Sequence, residues 1–228
     1  MIISGMVKSS LVDYPGLVSC VLFVPGCNYN CFYCHNRSLL DGTQEVLLPS
    51  YVMEFLEKRK GLLDGVVITG GEPTLQPGLL SYMKMLKTLG YKIKLDTNGS
   101  SPSAVAQILE AGLCDYFAVD YKAPAARYEE FCGSSAHAGA VLQTIKLLLD
   151  GGSWFEVRTT VIPQLGGSDL LAMARELPVL PKYVLNRYRL PDNYLPGDRS
   201  RVEAKPHTPQ DINSFVQLIK QYQPNAVS

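Results

Sequence analysis

The chain has no excess of either charge: 21 Lys plus Arg stand against 21 Asp plus Glu. Nucleic-acid binding expects a basic footprint, so this balance argues against nucleic acid as a partner. It also has no long hydrophobic run. The apolar stretch Leu17 to Val24 falls far short of the ~20 residues a membrane-spanning helix needs. Met1 to Val12 lacks the apolar core of a secretory signal. No low-complexity segment or tandem repeat interrupts the 228 residues; that length suits one domain or a single α/β barrel-like unit. There are six cysteines and no secretory context. A disulfide framework belongs to short secreted chains, so a reducing, cytoplasmic setting is expected.

Half of those cysteines lie together. Cys27, Cys31 and Cys34 form a C-x3-C-x2-C run inside GCNYNCFYCHN, with no fourth cysteine nearby. Thiolates this close can share one soft metal site. Three ligands on a four-iron cluster leave one iron open to a ligand, whereas an electron carrier normally takes four. A structural zinc site is the rival, since His35 can complete a Cys3His set, although directly adjacent residues rarely point at one metal. Inert thiols are the remaining reading. Cys20, Cys114 and Cys132 belong to no second motif, and Cys20 reads as a core residue.

Hydrophobic patterning predicts alternating strands and helices. Strands are expected at Leu17 to Val24, Gly65 to Thr69, Tyr91 to Asp96, Tyr116 to Asp120, Trp154 to Ile162 and, more weakly, Lys182 to Leu190. Helices are expected at Pro49 to Lys60, Pro77 to Leu89 with Pro77 at the first helical position, Ser101-Pro102 to Ala111, Leu142 to Leu149 and Gly167 to Leu177. A last helix opens on Thr208-Pro209-Gln210-Asp211, a capping-box pattern, with Ile212, Phe215, Val216 and Ile219 as its buried stripe. Six such units imply a parallel sheet with right-handed crossovers. Six are too few to close an eight-stranded barrel, so an open partial (βα)6 barrel is expected, with a flat doubly wound sheet as runner-up.

Ligand sites in parallel α/β folds form at the carboxyl ends of strands. Each expected strand end carries chemistry: the cysteine loop, Gly70-Gly71-Glu72, Asp96-Thr97-Asn98, Asp120-Tyr121-Lys122, Arg158, and Arg187 with Arg189. The glycine pair lets backbone approach a ligand, or is an ordinary turn. Glu72 can accept from an amine. Asp96 and Asp120 can hold a cation or an amine, or cap helices. Lys122 and Arg158 can grip a carboxylate, or form surface ion pairs.

The cysteine motif followed by ITGGEPTLQ resembles the radical S-adenosylmethionine superfamily. Together with SLVDYPG, LDTNGS, VDYKAP and VRTTVIP, it is similar within that superfamily to activating enzymes of glycyl-radical proteins, and most to the short form acting on anaerobic ribonucleoside-triphosphate reductase. The resemblance runs from residue 10 to about residue 163, and the whole chain, 1–228, would be one such domain.

That resemblance implies a 4Fe-4S cluster on Cys27, Cys31 and Cys34. It implies S-adenosylmethionine chelated at the open iron, and a deoxyadenosyl radical that takes hydrogen from a partner's glycine. It implies Gly70, Gly71 and Glu72 at the methionine amine, Thr97 and Asn98 near the cofactor, Lys122 and Arg158 at its carboxylate or ribose, and Phe32 or Tyr33 near adenine. It also implies a monovalent cation framed by Asp96 and Asp120, and flavodoxin or ferredoxin as reductant. The sequence departs from the pattern at Tyr14, where some activases have glycine, and at Tyr188-Arg189, where a ribose-contacting histidine is expected. No auxiliary-cluster insert follows Cys34. The weighed alternatives are a 7-carboxy-7-deazaguanine synthase-like enzyme, a peptide-modifying maturase and a non-enzymatic metal-binding module.

Overall fold

The computed structural model describes residues 1–40, 44–134 and 136–228. In chain order the elements are β1 (Gly5–Ser10), β2 (Ser19–Val24), α1 (Arg37–Leu40), α2 (Pro49–Lys58), β3 (Gly65–Gly70), α3 (Leu79–Thr88), β4 (Lys92–Thr97), α4 (Pro102–Glu110), β5 (Tyr116–Asp120), α5 (Tyr128–Cys132), α6 (Ala138–Asp150), β6 (Phe155–Val161), α7 (Gly167–Glu176), β7 (Tyr183–Arg187), α8 (Arg199–Val202), α9 (Pro209–Ile219) and β8 (Ala226–Val227). The strands are ordered β1 to β8 exactly as they occur along the chain. A doubly wound sheet must reverse its strand order at a switch point. This sheet has no reversal, so the runner-up topology is excluded and the order is that of a partial barrel.

The six expected strands are present, flanked by β1 and β8. β1 runs antiparallel to β2. The pairs β2–β3, β3–β4, β6–β7 and β7–β8 are parallel. β1 has little apolar alternation, with Lys8, Ser9 and Ser10 in its second half, and β8 has only two residues; neither has a pattern that periodicity detects.

By contact the chain forms two compact units. The first comprises Met1–Cys27, Ser38–Thr97 and Ser103–Phe117; the second comprises Asn28–Arg37, Asn98–Pro102 and Ala118–Ser228. In the first unit, Val66, Val67, Ile68, Ile93 and Leu95 are fully buried, as are Leu56, Met83 and Leu86 from α2 and α3. Val21 and Val67 are register partners and pack with the buried ring of Tyr14. The departure at Tyr14 therefore places a core side chain. In the second unit the core includes Val157, Ile145, Leu148, Leu170 and Tyr183. α9 begins with the expected capping box: Thr208 accepts from the Asp211 amide and Asp211 accepts from the Thr208 amide.

Several boundaries differ from expectation; α6, for example, starts at Ala138 rather than Leu142, and β2 at Ser19 rather than Leu17. α3 starts at Leu79, because Gly78 turns through φ +77 just before it, so Pro77 lies outside the helix. β7 stops at Arg187, leaving Arg189 beyond the strand. The stretch Ala123 to Gly139, expected as the longest loop, contains a short 3-10 turn at Ala125–Arg127, α5 and the start of α6. Its Tyr128 and Phe131 are 1% exposed and belong to the core; Ser135 lies outside the described residues.

Candidate active site

In the first unit, the strand-end glycines are shaped by the chain entering the cysteine loop. The Gly71 amide donates to the Val24 carbonyl at 2.8 Å, and the Glu72 amide to the Gly26 carbonyl at 2.7 Å. A Cβ on Gly71 would stand 1.9 Å from the Gly26 oxygen, and one on Gly70, at φ +116, 2.5 Å from the Val24 nitrogen. The pair thus lets backbone approach backbone. The Gly26 amide in turn donates to Leu39 at 3.0 Å. Cys27 follows, half-buried and unbridged.

Glu72 is fully buried. Its Oε1 accepts from the Thr74 amide at 3.0 Å, the Thr74 hydroxyl at 2.6 Å and the Thr97 hydroxyl at 2.7 Å. The carboxylate ties the end of β3 to the end of β4, and it is neither solvated nor an ordinary turn residue. Asp96 accepts from the Lys94 ammonium at 2.5 Å, and Lys94 is 2% exposed.

In the second unit, the rest of the cysteine loop is held from Asn28 to Tyr33. Asn28, Asn98 and Ser100 close a ring of three hydrogen bonds, each 2.9 Å. The Asn30 amide donates to the Cys132 carbonyl at 2.8 Å. Tyr29 meets Tyr128 edge-on. Phe32 packs against Phe131, and the Arg201 guanidinium lies 3.7 Å above its ring. Arg201 also donates to the Glu130 carbonyl at 3.0 Å. Of the two aromatic residues expected near adenine, Phe32 therefore already has a cation on one face. Tyr33 is buried and meets Phe32 edge-on at 5.1 Å.

The electrostatics of this half favour a thiolate at Cys31 and a thiol at Cys34. A hydrogen bond from the Cys132 thiol brings Cys31 down to about 7 despite burial, with help from the Lys122 charge. Burial pushes Cys34 up. Asp120 accepts from Lys122 at 3.1 Å and from two Arg158 nitrogens at 3.1 and 3.0 Å. Burial alone would raise the Asp120 carboxyl, but the two cations outweigh it and hold it at about 2. Burial would likewise lower Lys122, yet Asp120 and the thiols of Cys31 and Cys132 keep it well above its ordinary value. Tyr188, in place of the expected histidine, is buried and donates to the Val202 carbonyl at 2.9 Å.

Asn28, Lys94, Cys132 and Arg201 were missed by sequence reasoning. Lys94 and Asp96, two apart on one strand, share a face, and that signal was legible. Arg201 offers none, because its partner Phe32 is remote in sequence.

The Radical SAM superfamily model matches residues 21–177, well over half the chain. The chain belongs to the radical SAM superfamily and is an enzyme of that kind. It is 31% identical over 202 residues, 85% of this chain and 82% of the other, to a Methanocaldococcus jannaschii protein provisionally named a glycyl-radical enzyme activating enzyme. It is also 34% identical over 131 residues to the 7-carboxy-7-deazaguanine synthase of Neisseria meningitidis, covering 55% of this chain and 51% of that one. Among solved structures, Streptococcus suis SuiB bound to S-adenosylmethionine superposes with a TM-score of 0.66 at 14% identity, over 89% of this chain and 48% of that one. A domain of a pyruvate-formate lyase-activating enzyme from Bacteroides vulgatus gives 0.56 at 17% identity, over 72% of this chain and 97% of that one. The two structural likenesses establish the fold, the superfamily's partial barrel.

Proposed function

We propose that the chain, as one domain over residues 1–228, is a glycyl-radical enzyme activating enzyme, with anaerobic ribonucleoside-triphosphate reductase as its partner and flavodoxin or ferredoxin as its reductant. The observation that carries this reading is the likeness to the M. jannaschii protein, which spans most of both chains; the deazaguanine synthase match spans about half of each.

The donor set fits the superfamily's cluster. Cys27, Cys31 and Cys34 are unbridged thiols in the spacing that leaves one iron of four open. Among the described residues no group of three or more His, Cys, Asp and Glu is already arranged as a metal-ion site, so the fit rests on thiol chemistry and spacing. Held by these three residues, a cluster would supply the one-electron reducing chemistry that cleavage of S-adenosylmethionine needs.

The chain's own residues do the rest. Cys27, Cys31 and Cys34 hold the cluster. Lys122 and Arg158, fixed by Asp120, present cations to a ligand carboxylate or ribose. Backbone of Gly70, Gly71 and Glu72 receives the ligand amine, and the Glu72 carboxylate keeps that turn rigid through Thr74 and Thr97. Asn98 anchors the cysteine loop through Asn28. Phe32 and Tyr33 supply the apolar wall beside adenine and exclude water.

Anaerobically reconstituted protein is expected to carry about four irons per chain. Changing Cys27, Cys31 or Cys34 to Ala removes them, whereas Cys20→Ala and Cys114→Ala do not; iron-free protein with stoichiometric zinc refutes the cluster. Incubation without oxygen with reductant, S-adenosylmethionine and the reductase should give a glycyl doublet by electron paramagnetic resonance, absent with Cys31→Ala. Turnover of a free deazapurine precursor or a short peptide, with no radical on the partner, replaces this reading with one of the alternatives.

A further inference from the structure

Lys94 is a charged side chain that the proposed chemistry does not use, and it is 2% exposed. Lysine is almost never fully buried unless paired, because removing an ammonium from water is costly. On β4 it stands in register with Val67 of β3, and Val67 stands in register with Val21. Both valines pack with Tyr14. Laterally paired residues in a sheet share a face, so the Lys94 stem rises from an apolar surface. Its ammonium reaches Asp96, two residues on and on the same face, at 2.5 Å. The next residue, Thr97, donates to buried Glu72.

The resemblance implies an inorganic monovalent cation framed by Asp96 and Asp120. Neither carboxylate fits that expectation. Asp120 is taken by Lys122 and Arg158, and Asp96 has a protein cation against it. We infer that Lys94 is a built-in monovalent cation, neutralising Asp96 from within the first unit and positioning the β4 end, so that the protein needs no sodium or potassium ion there.

The inference concerns the same site as the proposed function, but it is tested without S-adenosylmethionine or partner, so the two fail separately. Thermal unfolding of the full chain is followed at fixed ionic strength in sodium, potassium and choline chloride. The wild type is expected to melt within about 1 °C in all three. A saturable rise with sodium or potassium over choline overturns the inference, and this arm needs no variant. Lys94→Ala strips the counter-charge and opens space. It should melt on the order of 10 °C lower in choline and regain part of that, saturably, with sodium or potassium. Equal melting of the variant in all three salts also overturns the inference. If Lys94→Ala does not fold, the double variant Lys94→Met/Asp96→Asn, which removes both charges, should fold and melt alike in every salt. A cation response in the double variant places the ion elsewhere and refutes the inference.

Discussion

Two strand ends carry the same pair of residue types in opposite order. In β4 the lysine precedes the aspartate, Lys94 then Asp96. At β5 the aspartate comes first, Asp120 then Lys122. Side chains two apart on a strand share a face. Lys94 and Asp96 both lie in β4, whereas Lys122 falls beyond the end of β5. In each pair the lysine is the less exposed partner. Lys94 points its ammonium outward from an apolar surface and is 2% exposed. Lys122 stands past the strand end, where its side chain is 17% exposed and shares Asp120 with Arg158. The first pair lies within its strand; the second belongs to a cluster of three charges that the proposed function assigns to the ligand.

The strongest way to break this contrast is to disturb the turn beside the first pair. Gly71→Ala would drive a Cβ to 1.9 Å from the Gly26 oxygen, and backbone cannot yield as a flexible side chain can. It is expected to cost soluble protein, or to lower stability by several kcal/mol, read by denaturant unfolding and by iron content. Next is a matched exchange of methionine for each lysine. Lys94→Met leaves a carboxylate without its counter-charge and should destabilise by about 3 kcal/mol or more. Lys122→Met should leave stability closer to wild type and weaken S-adenosylmethionine binding roughly tenfold or more, as expected when a charge-assisted contact is lost. Equal stability losses with unchanged cofactor affinity would dissolve the distinction.

The smallest expected effect is in acid. Asp120 is held at about 2 in the folded protein, below the ~3.9 of a free aspartate. The folded state therefore binds this proton less readily than the unfolded chain. Its contribution is fully present above about 4 and is lost as pH falls towards 2. Asp120→Asn should flatten the stability profile over that interval and leave its slope near neutrality unchanged.

Much of the fold was legible because it rests on local periodicity. The buried apolar runs of β2, β3, β5 and β6 announce strands on their own, and the Thr208 capping box announces α9. Boundaries failed where one dihedral or one long-range contact decides them: Gly78 turns the chain before α3, and the stretch after β5 coils because Tyr128 and Phe131 find buried places. At the site, the three cysteines and the polar strand ends were visible as residue types in order. Which partner each would hold was not. The residue order places Glu72 where a ligand amine would be received, but gives no sign that its buried carboxylate also ties Thr74 to Thr97.

By itself the sequence determined the ligand chemistry and the alternation of elements, because thiol spacing and hydrophobic period are properties of neighbours along the chain. Only the tertiary structure decided how each charge is used. Lys94 becomes an internal cation because its strand lies beside Val67, and Arg201 covers Phe32 because the segment after β7 folds back over the cysteine loop. The energy of a charge depends on what surrounds it in space, and those surroundings are assembled from residues far apart in sequence.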